Sequence, residues 1–87
     1  MAKAKTFEER FSRFKGKWDL QPTSYQLRKP DGSAGGWIAQ VRVWQNLVDQ
    51  QIVTPLMEKE PKVYGTVEEA NTVGLWLGLN WLERHEV

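Results

Sequence analysis

Side chains able to do chemistry are few in this chain and poorly spaced for it. The single histidine, His85, stands near the C-terminus, and there is no cysteine. A zinc site would have to rest on carboxylates, without the nitrogen and sulfur ligands that zinc prefers. Ser12, Ser24 and Ser33 each carry a hydroxyl, but no base follows at a useful spacing. Acid and base catalysis needs a polar group held in a dry cleft. The carboxylates here sit in charged runs such as EKE at 58–60 or at expected helix starts. Gly74 and Gly78 form a G-x-x-x-G spacing, a membrane pairing signal only inside an apolar segment about twice as long as the one that holds them. Neither a P-loop nor a dinucleotide fingerprint is present. The expectation is a protein that is not an enzyme, with no catalytic or metal-binding residue, no cofactor and no small-molecule substrate.

The composition supports that reading. At 87 residues the chain is expected to be a single domain, 1–87, with a core only just large enough to hold it together. Hydrophobic residues make up 40% and charged residues 26%, the balance of a folded globular domain rather than a disordered one. Without cysteine there is no disulfide framework, which suits a cytoplasmic address. The longest apolar stretch, VGLWLGLNWL at 73–82, is ten residues, against roughly 20 for a bilayer span, so no membrane association is expected. Net charge is +1 but unevenly spread: residues 1–17 hold six basic and two acidic groups, and the remaining 70 hold six basic and nine acidic. A basic arm on an acidic body points to nucleic acid or an acidic partner, or else to a solubilising terminus.

The elements follow from spacing. TVEE at 66–69 is a capping box, in which the Thr66 hydroxyl and the Glu69 carboxylate satisfy each other's backbone amides, and it starts a C-terminal helix over 66–84. On that helix Val67, Ala70, Val73, Gly74, Leu77 and Trp81 gather on one face, with Ala70, Gly74 and Gly78 as a ridge of small residues for close approach to a sheet. TFEE at 6–9 repeats the start, and Phe7, Phe11 and Phe14 form one stripe, so residues 1–15 read as a basic amphipathic arm containing a short helix. Between the helices, 18–57 reads as antiparallel strands. SYQLRK, GGWIAQVRVWQ and QIVTPLM make three, Pro55 sends the last to an edge, and KWDLQ offers a fourth short strand. The fold class is α+β: a short N-terminal helix, a three-stranded antiparallel sheet and a C-terminal helix packed on one sheet face.

Tyr25 and Leu27, Gly36 and Trp37 with Ala39 and Val41, GTVEEA at 65–70 and GLNWLE at 78–83 together resemble small bacterial domains of unknown function built from a three-stranded meander and a C-terminal helix. The resemblance covers roughly residues 18–83 and implies the fold rather than an activity. The order of elements is also similar to the three-stranded DNA-binding domains of the AP2 and integrase amino-terminal type, a likeness of topology that implies DNA binding by a sheet face.

Two candidate surfaces result. Leu75, Leu79 and Leu82 form a second stripe on the C-terminal helix, with Trp76 farther around, and the Phe7, Phe11 and Phe14 stripe is expected to cover much of it. What remains around Leu75, Trp76, Leu79 and Leu82 is the candidate patch for a protein partner or a homodimer. The alternative is a nucleic-acid face. If Trp37, Ala39, Val41 and Val43 meet the helix, then Gln26, Arg28, Gln40, Arg42 and Trp44, with Ile38, point the other way, where they could reach phosphates and stack on bases. The expected function is a small non-catalytic protein-interaction module, with a DNA-binding domain as the alternative.

Overall fold

The computed structural model describes residues 6–85; Lys3 and Lys5 of the expected basic arm lie outside them. The chain opens with helix α1 (Phe7–Phe11), which runs into a 3-10 turn over Ser12–Phe14. Its start is a complete capping box: the Glu9 amide donates to Thr6 Oγ1 and the Thr6 amide donates to Glu9 Oε2, each at 3.2 Å. Gly16, at φ +92°, turns the chain away in a conformation that costs glycine little. Six strands follow, β1 (Trp18–Pro22), β2 (Tyr25–Arg28), β3 (Ala34–Ile38), β4 (Gln40–Asn46), β5 (Gln51–Met57) and β6 (Val63–Tyr64), and helix α2 (Val67–His85) closes the chain.

Instead of one three-stranded sheet there are two, in the orders β1-β4-β5 and β2-β3-β6, all pairs antiparallel. The reason is visible in the connections. The chain breaks three times: between Pro22 and Tyr25, which parts KWDLQ from SYQLRK, at Ala39, inside GGWIAQVRVWQ, and over residues 58–62, which part QIVTPLM from the short strand β6. The pieces on either side pair in separate ladders. At the joint the Thr23 amide still donates to the Gln40 carbonyl at 2.9 Å, so the two sheets stay hinged together. The KWDLQ piece is a full member, β1, and Pro55 lies on β5, an edge strand as expected.

The break at Ala39 also upsets the expected alternation. Ile38 and Ala39 are consecutive and both buried, so Ile38, at 6% exposed, is no part of an outward face, while Trp37 is only half-buried. Beyond the break alternation resumes, with Val41 and Val43 fully buried.

α2 begins with half of the expected capping box: the Glu69 amide donates to Thr66 Oγ1 at 3.2 Å, but the Glu69 carboxylate does not reach back to the Thr66 amide. It lies on the β1-β4-β5 sheet along its ridge of small residues. A Cβ on Gly74 would stand 2.9 Å from the Gln40 carbonyl oxygen, and one on Gly78 would stand 2.7 Å from Leu20 Cδ2. Farther around the helix, Leu79 and Leu82 enter the main core with Phe11, Phe14, Trp18 and Val43. The phenylalanine stripe is therefore an intramolecular cover for α2. Arg10 fastens it: its Nε donates to Glu83 Oε1 at 2.9 Å, its Nη2 pairs with Glu83 Oε2, and its guanidinium lies 5.0 Å over the Trp76 ring. Both partners remain 30% exposed, so the pair orients the cover more than it stabilises it, by about 0–1 kcal/mol.

Candidate interaction surface

Leu79 and Leu82 are 0% exposed, which removes them from the expected patch. Leu75 and Trp76 are half-buried, with Phe7 edge-on to Trp76 at 5.5 Å between ring centroids and Arg10 above it. The patch shrank because α1 covers the stripe within the same chain.

The uncovered surface lies on the other side of the molecule. In β4 every second side chain meets α2, so Gln40, Arg42, Trp44 and Asn46 must face away from it. Cross-strand pairing fixes their neighbours. Asp19 and Gln21 of β1 stand opposite Trp44 and Arg42, and Val53, Pro55 and Met57 of β5 stand opposite Trp44, Arg42 and Gln40. The protein is only 19 Å through its thinnest direction, the depth of one helix layer on one sheet layer. Among the described residues, both helices pack on the inner side, and Asp19, Gln21, Arg42, Val53, Pro55 and Met57 of this outer face are exposed.

Its polar groups are held in place. Trp44 Nε1 donates to Gln21 Oε1 at 3.1 Å, which ties the indole of β4 to β1. At one end Gln51 Nε2 donates to Asn46 Oδ1 and Asn46 Nδ2 donates to Asp19 Oδ2, both at 2.8 Å, a row that spans all three strands. The apolar content is uncovered: Val53 is 39% and Met57 41% exposed, with Trp44 half-buried between them and β1. The charged side chains of this face are Asp19 and Arg42, and Arg42 has no partner among the described residues.

Of the expected nucleic-acid face, Gln40, Arg42 and Trp44 do come together here. Gln26 and Arg28 do not, because they belong to the β2-β3-β6 sheet. There Gln26 Nε2 donates to the Gly35 carbonyl at 3.1 Å and Arg28 Nη1 to the Gly32 carbonyl at 3.5 Å, so both side chains turn back on their own hairpin. Asp19, Gln21, Val53 and Met57 had not been singled out. The alternation of KWDLQ and QIVTPLM carried the information, but the strand register that brings them beside Trp44 did not.

Three other titratable groups, His85, Tyr64 and Asp31, have partners within the chain. His85 stacks on Trp81 at 4.2 Å between ring centroids, with Nδ1 2.8 Å from the Trp81 carbonyl oxygen. Tyr64 donates to Glu58 Oε1 at 2.8 Å; burial first, then that carboxylate, raises its pKa above the usual tyrosine value. Asp31, at the β2-β3 turn, accepts from the Ser33 hydroxyl and amide, which lowers its pKa. Among the described residues no three His, Cys, Asp or Glu side chains cluster to hold a metal, and no helix is long and apolar enough to cross a membrane. Comparison with protein-family models, curated proteins and solved structures finds no match to this chain.

Proposed function

We propose that this protein is a small non-catalytic interaction module, acting in the cytoplasm, whose binding surface is the outer face of the β1-β4-β5 sheet. The observation that supports it most is a sheet whose inner face buries Val41 and Val43 completely while Val53 and Met57 stand exposed on its outer face. Val53 and Met57 stand exposed there beside the half-buried Trp44, among side chains already fixed by hydrogen bonds. Burying a large apolar side chain gains roughly 1.5–3 kcal/mol, and pre-ordered polar neighbours reduce the entropy lost on binding. An aromatic anchor flanked by satisfied polar groups is the pattern of a protein-binding centre.

Duplex DNA fits the face less well. Affinity for DNA comes largely from several Lys or Arg contacts to phosphate, whereas this face offers Arg42 and sets Asp19 against it. The nucleic-acid reading is tested by fluorescence anisotropy with random duplex DNA at low and moderate salt. The proposed module shows no salt-sensitive binding; binding that weakens in Arg42→Ala would favour the DNA reading instead.

The protein-binding reading is tested by placing a photo-crosslinking benzoylphenylalanine at position 57 or, as a control, at exposed position 68 on α2. Protein adducts, whether with a second copy or another chain, are expected at 57 and not at 68. Adducts at neither position, or at 68 alone, would defeat the reading.

A further inference from the structure

We infer that the outer face of the β1-β4-β5 sheet pairs with the same face of a second copy about a two-fold axis, Asp19 of each copy opposite Arg42 of the other. The inference rests on the reading of that face as the binding surface and goes further by naming its occupant.

An isologous interface must be self-complementary: if residue i meets residue j, then j meets i. A face with one sign of charge fails that condition. This face carries one acid and one base, at positions that satisfy it. Asp19 stands opposite Trp44 on the neighbouring strand, and Arg42 lies two residues along β4 from Trp44. One strand spacing of about 4.8 Å and two residue rises of about 3.4 Å separate them by about 8 Å in the plane of the sheet. A two-fold axis parallel to that plane, crossing the line between them at right angles at its midpoint, exchanges the two positions. Each Arg42, otherwise without a partner among the described residues, then meets the Asp19 of the other copy, giving two reciprocal ion pairs.

The same axis accounts for the apolar residues. Trp44 stands beside Asp19 on one side and Val53 on the other, one strand spacing each way. In that flat construction Trp44 and Val53 both fall within about 2 Å of the axis. Each therefore meets its own symmetry mate, placing the half-buried indole and the exposed isopropyl group on the axis and the charges beside them. The strands of the two sheets cross at about 70°, nearer the orthogonal than the aligned class of sheet packing.

The size of the face sets the strength. Three strands of this length present about 14 by 20 Å, well under the roughly 800 Å² per partner of a standard stable interface. The dimer is therefore weak and forms as concentration rises.

The test is sedimentation equilibrium of the full chain from about 10 µM to about 1 mM, a range suited to a small interface. Wild type is expected to pass from the 10.1 kDa monomer toward twice that mass. Arg42→Asp and Asp19→Arg should each weaken association at least about tenfold by facing like charges across the axis, and the double variant, which restores both pairs, should recover most of the loss. Val53→Asp, which places two carboxylates at the axis, should abolish the dimer at an unchanged melting temperature. A wild type that remains monomeric throughout overturns the inference, as does a double variant no tighter than either single one. Adducts to other proteins at position 57 alongside a strictly monomeric wild type would remove the second copy and leave the binding face standing.

Discussion

Replacing Gly74 by alanine separates close helix packing from helix propensity, because the two effects oppose each other at this position. In the interior of a helix, glycine to alanine gains about 1 kcal/mol. The added Cβ, however, would stand 2.9 Å from the Gln40 carbonyl oxygen, 3.3 Å from its carbon and 3.6 Å from Val41 Cβ. Gln40 O cannot retreat alone, since it accepts the Thr23 amide at the joint between the two sheets. Overpacking of this kind costs about 1–3 kcal/mol, leaving a net loss of about 1 kcal/mol. Gly78→Ala is the matched control. Its Cβ meets Leu20 Cδ2 at 2.7 Å, the end of a side chain that can turn aside, so the propensity gain offsets the repacking and stability stays within about 1 kcal/mol of wild type. Urea denaturation followed by tryptophan fluorescence, with equal slopes for all three proteins, measures both. If Gly74→Ala is more stable than wild type by about 1 kcal/mol, α2 does not lie on Gln40 as described, and the reasoning fails.

Further outcomes follow from the same structure. Thr66→Ala removes the hydroxyl that accepts the Glu69 amide and should cost about 1 kcal/mol in the same assay, whereas a cap of no consequence would leave the midpoint unchanged. Deleting residues 1–15 uncovers Leu79 and Leu82, so the melting temperature should fall and light scattering should rise; a truncated protein equal to wild type in both would mean that the phenylalanine stripe contributes nothing. Tyr64 has a raised pKa in the folded state, so its contribution is complete below the ordinary tyrosine value of 10.0 and is lost as pH rises through the folded value. Wild type should therefore lose more stability than Tyr64→Phe between pH 9 and 11, and parallel curves would contradict this.

Much of the fold was legible because its signals are local. Thr6 with Glu9 and Thr66 with Glu69 mark both helix starts, Ala70, Gly74 and Gly78 mark the line of contact with the sheet, and the runs QIVTPLM and SYQLRK are strands as read. The division into two sheets was not legible. It depends on three breaks, and the one at Ala39, where neighbouring side chains are buried together, falls inside a run of alternating residues that does not mark where the chain will bend. β6 is two residues long, too short to show any period. The proposed interaction surface was legible in part. Gln40, Arg42 and Trp44 follow from alternation along one strand, whereas Asp19, Val53 and Met57 join them through cross-strand register, which is a tertiary property. The leucine stripe on α2 was visible and so was its cover, but the depth of burial of Leu79 and Leu82 emerges only when the aromatic rings are in place.

Binding through the outer sheet face is tested most directly by the tryptophan indole resonances in a proton–nitrogen NMR spectrum of the full chain, recorded as its concentration is raised. Trp44 and Trp76 report on the two candidate surfaces from opposite sides of the molecule: Trp44 holds its indole N–H on Gln21, and Trp76 lies under Phe7 and Arg10. The Trp44 resonance should shift progressively with concentration while that of Trp76 stays fixed. A Trp76 resonance that moves while Trp44 does not would place the contact on the helical side and contradict the assignment of the sheet face.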